Sequence, residues 1–305
     1  MEQSSLTRLQ EMLESGDYHN VIVMAGAGIS VAAGIPDFRS PTIGLYSSLK
    51  EMTNLRFRSP TFVFSIDVFM EDPRPFWWIF CRLWPRSDWP EPTSMHHLFK
   101  NLNDRGILRR VYTQNVDGLE EKAGLERNKI VYSHGVLDPC HCLDCGEKIS
   151  LSYCLEQIQE NINNSLDDYQ NVVVPKCPSC GKDHVKPDVT FFGESLPNDF
   201  FLLREEDFDN CDLLIITGTS LEVHPFAGLV NWVKPEVPRF LINMNKVKEI
   251  GGALKKSWNW VKSAALLFMV DFSGVFDFES DRDFFIGGDC QDTANHLINN
   301  LKELE

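Results

Sequence analysis

Short, almost wholly apolar runs recur along the chain, each ending in glycine or small polar residues. They are VIVMAGAG (Val21–Gly28), ILRRVYT (Ile107–Thr113), IVYS (Ile130–Ser133), DVTFF (Asp188–Phe192), DLLIITG (Asp212–Gly218) and RFLINM (Arg239–Met244). Runs of this length bounded by turn signals read as strands buried on both faces. Between several of them the spacing of apolar residues becomes helical, as in Leu6 to Leu13, MHHLFKNLNDRG before Ile107 and FAGLVNWV after Pro225. Buried strands alternating with helices predict an α/β fold, with a Rossmann-like parallel sheet covered by helices on both faces.

Two stretches break the alternation. Ser59 to Trp84 is helical in flavour and rich in aromatics, with Phe62, Phe64, Phe69, Phe76, Trp77, Trp78, Phe80 and Trp84. It is expected to be a helical insertion with its own small core. Val136 to Lys186 carries paired cysteines and forms a second insertion. The chain is therefore read as one domain over 1–305, with Rossmann-like segments 1–45, 91–135 and 186–305. A helical insertion, 46–90, and a cysteine module, 136–185, build a smaller domain beside it.

Charge and composition narrow the function. A formal charge of -15 opposes direct nucleic acid binding, whose affinity comes largely from Lys and Arg displacing counterions, and favours basic partners. The first twenty residues lack an apolar signal core and are too acidic for a transit peptide. No apolar run reaches the roughly 18 residues that span a bilayer, so no membrane association is expected. Nine cysteines in the reducing compartment this implies point to metal binding or free thiols over disulfides.

The candidate chemistry collects at strand ends. Gly26 and Gly28 follow the first strand, where backbone amides and the positive end of a following helix can receive a diphosphate. The spacing departs from GxGxxG, since position 31 is Val and the next glycine is Gly34, which disfavours an ordinary hydride-transferring dehydrogenase. The loop IPDFRSP then brings Asp37, Phe38 and Arg39 to where they can fold over a bound dinucleotide. TQNVDGLE follows the second strand and offers Gln114, Asn115 and Asp117 to a ribose or a carboxamide, although such a turn also caps helices. His134, before a glycine at another strand end, titrates near neutrality and can take a proton from a sugar hydroxyl.

Cys142 and Cys145, with Cys177 and Cys180, form two CxxC pairs, each followed by glycine. Two such turns complete a four-cysteine zinc site, and four protein ligands leave no open position for activating water. Cys140 is an alternative ligand. Gly218, Thr219 and Ser220 lie in GTSLEVHPF, a second loop that lets backbone approach a nucleotide. Asn243 and Cys290 follow two further apolar stretches.

Taken in order, GAGIS, GIPDFRS, TQNVDG, HG, the CxxC pairs, KPDVTFFGE, GTSLEVHPF, LIN and a late GDC closely resemble the sirtuin family over roughly Val21 to Leu301. The resemblance is greatest to the cytosolic and nuclear deacetylase branch of eukaryotes. It implies a single sirtuin-type catalytic domain that consumes NAD, holds one structural zinc and removes acetyl or other neutral acyl groups from protein lysines. The products would be nicotinamide, O-acyl-ADP-ribose and free lysine, with a cytoplasmic or nuclear location. It makes His134 the base, with Asn115 orienting ribose and water. Gln114 and Asp117 would fix the ribose and carboxamide, Gly26, Ala27, Gly28 and Ser30 would cradle the diphosphate with Arg39 nearby, and Phe38 would shield the sugar. Gly218, Thr219, Ser220, Asn243 and Cys290 would meet the adenosine. An acylated peptide would pair as a strand between Val189, Phe191, Phe192, Gly193, Glu194 and Leu221, Glu222, Val223.

The chain departs from the family pattern in places. The 31 residues between Cys145 and Cys177 exceed the family's interval of roughly twenty by about ten, which predicts an extra helical excursion. Thr190 stands where an aliphatic residue usually lines the acyl-lysine tunnel, and Tyr132 replaces an acidic residue before the histidine. Lys246 to Val270 matches poorly. Two other readings use the same pocket: mono-ADP-ribosyl transfer to protein, and a catalytically silent NAD-sensing scaffold.

Overall fold

The computed structural model describes residues 2–37, 60–83, 89–164, 169–247 and 276–302. In chain order the larger elements are helix α1 (Glu2–Glu14), strand β1 (Val21–Ala25), helices α2 (Ile66–Glu71), α3 (Arg74–Leu83) and α4 (Ser94–Asp104), and strand β2 (Leu108–Thr113). Then follow α5 (Leu119–Lys122), β3 (Ile130–Tyr132), β4 (Gly135–Cys142), β5 (Lys148–Ile149), α6 (Leu151–Asn164) and β6 (Val185–Val189). The last are α7 (Asn198–Asp209), β7 (Leu213–Thr217), β8 (Arg239–Asn243), β9 (Asp283–Gly287) and α8 (Cys290–Asn300).

Six parallel strands pair in the order β3-β2-β1-β7-β8-β9. The order reverses between β1 and β7, and in open parallel sheets the crevice at such a reversal, outside the carboxyl ends of the strands, is where ligands bind. Alternation across β1 and β7 supplies both cores. Val21, Val23, Leu213 and Ile215 face a layer formed by Leu9, Leu13, Met95, Phe99, Ala294 and Leu297 of α1, α4 and α8. Ile22, Met24, Leu214 and Ile216 face Phe200 and Phe208 of α7, with Phe226 and Leu229. All of these strand residues are within 1% of full burial, so each stabilises the sheet by about 1.5–3 kcal/mol through the hydrophobic effect.

The structure corrects the sequence reading at three places. Asp188 to Phe192 does not join the parallel sheet: β6 pairs antiparallel with β4 in a separate three-stranded sheet, β5-β4-β6. The cause is a contact distant in sequence: the Asp188 carbonyl oxygen would lie 1.9 Å from a Cβ at position 135, and glycine there lets the two strands meet. The run FAGLVNWV winds as a 3-10 helix over Phe226–Asn231. Finally, among the described residues the aromatic insertion shares its core with the cysteine module. Phe69, Phe76 and Trp77 pack in one cluster with Cys140, Ile149, Leu151, Ile158, Val185 and Phe191 of the cysteine module and its sheet. The Phe76 and Phe191 rings lie 4.9 Å apart, and Trp77 donates its indole N–H to the Val185 carbonyl at 3.1 Å.

The expected helical excursion between the CxxC pairs is α6, whose Cys154 and Ile158 are buried in that shared cluster. Of the poorly matching stretch Lys246 to Val270, everything after Val247 lies outside the described residues. No helix among the described residues is long and apolar enough to cross a membrane.

Candidate active site and metal centre

The register of the sheet brings the motifs to one level. Ala25 is paired with Thr113 on one side and Thr217 on the other, and Thr113 with Tyr132. The residues that follow, Gly26, Gln114, Gly218 and the pair Ser133–His134, therefore leave the sheet together at its carboxyl edge.

Gly26 and Gly28 press directly against the loop after β7. A Cβ at Gly26 would stand 2.7 Å from Thr219 Cβ, and one at Gly28 would stand 2.8 Å from Gly218 Cα. Gly218 is left-handed, with φ 62°, and its own Cβ would meet the Ile29 amide nitrogen at 2.6 Å. The amides of Gly26 and Gly28 donate to the carbonyls of Thr217 (3.1 Å) and Gly218 (2.8 Å), so they bind the neighbouring loop. The sequence reading had given them to a diphosphate. Nor does an α-helix follow: Ala27–Ile29 and Val31–Ala33 are 3-10 turns, closed by Gly34 at φ 86°. A long helix dipole is thus missing here, and the role left to these glycines is to keep the crevice floor thin.

Behind that floor lies a directed line of hydrogen bonds. Asn115 donates its amide hydrogens to the Gly26 carbonyl (3.3 Å) and to Ser30 Oγ (3.2 Å), and Ser30 donates to Asp117 Oδ2 at 2.8 Å. Both Asn115 N–H groups are thereby engaged, which leaves Oδ1 as its available acceptor. Asp117 also accepts the Leu119 amide at 3.0 Å, so it caps α5 as well as holding Ser30. Gln114 Oε1 accepts the Thr219 hydroxyl at 2.6 Å, joining the β2 and β7 loops. Asn243 donates to the Thr219 carbonyl at 3.2 Å, and Cys290 Sγ lies 3.9 Å from the Gly28 carbonyl oxygen. Ser220 and Glu222 are exposed, Val223 is half-buried, and Leu221 is buried in a left-handed conformation with φ 52°.

His134 Nδ1 lies 3.2 Å from the Gln114 carbonyl oxygen. A carbonyl only accepts, so Nδ1 carries the proton and Nε2 keeps its lone pair. Burial lowers the pKa of the ring, against a smaller upward pull from the Gln114 carbonyl, and this favours the neutral, proton-accepting form. Asp37 is half-buried beyond Gly34, whereas Phe38 and Arg39 lie outside the described residues.

Along the expected peptide strand, the amides of Thr190, Phe192 and Glu194 donate to the carbonyls of His134, Phe64 and Phe191. The Phe191 amide goes to Glu194 Oε2 at 2.7 Å. The carbonyls of Val189, Phe191 and Phe192 accept from Lys186 Nζ and from the Glu194 and Ile66 amides, and Gly193 is left-handed at φ 97°. Thr190 also lines a cleft of about 320 Å³ with Arg127, Tyr132, His141, Asp188 and Glu194, which does not include His134 or Asn115.

The four CxxC sulfurs lie within 4.8 Å of one another, with Cys142–Cys180 and Cys145–Cys177 each at 3.6 Å. Four thiolates about 2.3 Å from one zinc would stand roughly 3.8 Å apart, so this set fits a tetrahedral ion. Matching turns present them. The Cys142 and Cys177 amides donate to the carbonyls of Glu147 and Lys182, and Gly146 and Gly181, at φ 75° and 74°, return the chain to the Cys142 and Cys177 carbonyls. Cys140 is fully buried in the shared apolar cluster and outside the set, which removes it as a ligand.

Sequence reasoning passed over four neighbours of this site. Thr93 Oγ1 and Gln291 Nε2 both donate to the Ile29 carbonyl at 2.9 Å, and His96 and Glu120 lie behind Asp117. In the sequence His96 occupies an ordinary helix position, and Glu120 is simply the last residue of its motif.

Comparison with known proteins agrees with this geometry. The Sir2 family profile matches residues 26–225. The zebrafish (Danio rerio) NAD-dependent protein deacetylase sirtuin-2 is 40% identical over 313 residues, covering 100% of this chain and 75% of that protein. The NAD-dependent protein deacetylase HST2 of Candida albicans is 45% identical over 222 residues, covering 73% of this chain and 62% of its own length. A solved structure from work on the mechanism and regulation of Sir2 enzymes superimposes with a TM-score of 0.72 at 27% identity, covering 99% of this chain and 100% of that one. With strand-end motifs, cysteine centre and relatives in agreement, the chain belongs to the Sir2 family.

Proposed function

We propose that this protein is an NAD-dependent protein lysine deacylase, acting on acetyl and other neutral acyl groups and yielding nicotinamide, O-acyl-ADP-ribose and free lysine. The observation that carries this reading is the His134–Gln114 contact, which leaves an unprotonated Nε2 at the same strand edge as Asn115. NAD would supply an electrophilic ribose carbon with nicotinamide as leaving group. His134 would take a proton from a ribose hydroxyl, and Asn115 Oδ1 would orient that sugar and the attacking water. Gln114 and Asp117 would hold the ribose and carboxamide, the first braced by Thr219 and the second by Ser30. Thr219, Asn243 and Cys290 would form the adenosine end. The cysteine centre holds zinc away from the reaction as a clamp on the small sheet.

An acylated lysine would enter between the stretches Val189–Glu194 and Leu221–Val223, paired through main chain and so with little sequence discrimination. The net charge of -15 supports basic protein partners over nucleic acid. Thiolate ligands require a reducing compartment, which supports cytosol or nucleus. Neither ADP-ribosyl transfer nor a silent scaffold explains why the base is held as the acceptor tautomer. The test is mass spectrometry of acetyl-, crotonyl- and myristoyl-lysine peptides incubated with protein and NAD. Matched nicotinamide and O-acyl-ADP-ribose are expected, and nicotinamide without deacylated peptide would defeat the reading.

A further inference from the structure

Beneath the loop of Gln114, Asn115 and Asp117, three titratable side chains meet. His96 from α4, Asp117, and Glu120 from α5 offer atoms that all lie within 4.8 Å of one another. His96 and Glu120 are both 0% exposed. Neither His96 Nε2 nor either Glu120 carboxyl oxygen has a hydrogen-bond partner among the described residues. The Thr113 hydroxyl acts on Glu120 without meeting hydrogen-bond geometry. Buried polar atoms left bare cost about 1–3 kcal/mol each, and more when charged, so this cluster needs a proton arrangement that satisfies its own members.

The tautomer of His96 supplies one proton. The Thr93 backbone N–H donates to His96 Nδ1 at 3.1 Å, and the Thr93 hydroxyl lies between Nδ1 (2.8 Å) and the Ile29 carbonyl oxygen (2.9 Å). A backbone amide cannot give up its donor role, so Nδ1 accepts and Nε2 carries the hydrogen. This tautomer has no lone pair for a metal at Nε2, and it leaves a buried, unpartnered N–H in the same cluster as the two carboxyl groups. Burial drives the His96 pKa down to about 3, which keeps the ring neutral.

The carboxyl groups supply the other. Asp117 already accepts from Leu119 and Ser30, whereas Glu120 accepts from nothing in bonding geometry. Burial first, then the Asp117 charge, pushes Glu120 up to about 8. Asp117 is raised by burial too, but its two donors favour the ion there. The other groups facing Glu120 are Glu121 on its own helix and Tyr132 from β3, while His97 acts on His96 from α4.

We propose that Glu120 and His96 form a buried proton-holding centre, in which protonated Glu120 and the Nε2–H of His96 hold Asp117 as the carboxylate that fixes Ser30 and, through it, Asn115. Both are positioning residues. The consequence for Asn115 rests on the deacylase reading above; the proton arrangement does not. Loss of the Glu120 proton would set two carboxylates side by side and disturb the line that presents Asn115 Oδ1 to the pocket.

Infrared difference spectra of the full chain between about pH 6 and about pH 9.5 test the centre without any variant. A protonated-carboxyl band that disappears with a midpoint near 8, and is missing from Glu120→Gln, is expected. Its absence from the folded wild type at neutral pH would overturn the proposal. In kinetics, wild type should show an alkaline fall in kcat/KM, and Glu120→Gln, which keeps a neutral donor in place, should flatten it. Glu120→Leu, which removes the donor, should lose about tenfold or more at neutral pH. Equal activities and equal alkaline limbs for the two variants would also overturn it. If wild type forms no nicotinamide with any acylated peptide, the deacylase reading falls and the infrared result still decides the proton centre.

Discussion

The imidazole of His134 is held by the main chain of Gln114, its Nδ1 3.2 Å from that carbonyl oxygen, while the Gln114 side chain accepts from Thr219. One residue therefore sets the tautomer of the base with its backbone and ties the crevice loops together with its side chain. His134→Ala should abolish deacylation while NAD affinity, read by calorimetry, stays within about a few fold, since truncation removes a proton acceptor and little binding surface. Retained turnover would show that the base lies elsewhere.

The pH profile follows from the same contact. Burial lowers the His134 pKa below its ordinary 6.5, so the ring stays a base to lower pH than an exposed histidine. The acid limb of kcat/KM should accordingly fall below that value, with activity lost as pH drops through the lowered pKa. A limb well above 6.5 would contradict the assignment.

Gly28→Ala tests the crevice floor. The new Cβ would stand 2.8 Å from Gly218 Cα, a backbone atom that cannot rotate away. Overpacking of this kind costs about 1–3 kcal/mol, read as a lower midpoint in urea, and weaker NAD binding should accompany it.

Arg239 and Asp283 form a buried two-pronged ion pair, both contacts at 2.6 Å, that joins β8 to β9, and Asp283 also accepts the Asp277 amide at 2.8 Å. Asp283→Ala removes the carboxylate that compensates the buried guanidinium charge, leaving it the Val230 carbonyl and the Phe276 ring, and should destabilise the protein by about 3–5 kcal/mol. Substituting the exposed Lys122–Glu91 pair should change stability by less than about 1 kcal/mol.

Cys177→Ser should release the zinc, measured as metal content per chain, and loosen β4 to β6 in hydrogen exchange while the six-stranded sheet keeps its protection. Retained zinc with native exchange would show that the four sulfurs are not its ligands.

The parts of this fold that were legible in the sequence are those set by local pattern. The β1 and β7 runs are apolar on both faces, β2 and β8 are mostly so apart from their arginines, all four end in or before glycine or small polar residues, and the cysteine spacing carries its own geometry. What failed depended on distant partners. Asp188 to Phe192 has the same apolar pattern as a parallel strand, and only the close approach of Gly135 decides its sheet. The aromatic insertion looked self-contained because Trp77 and Val185, which meet in the shared core, are far apart in sequence. The turn at Gly26 resembles a phosphate loop opening a helix, but the chain makes two short 3-10 turns instead, the first ended at Ser30 and the second by Gly34. His96 was invisible because a buried helix position looks the same whether its side chain packs against carbon or faces a carboxyl group.

The glycine seam between the third and fourth strands of the sheet order also limits how this molecule can move. Gly28 and Gly218 touch through main chain, with no side chain between them that could change rotamer, and each loop continues from a central strand buried on both faces. Widening the crevice at that point would mean parting β1 from β7. A bulky guest must therefore be accommodated elsewhere along the crevice than at this seam.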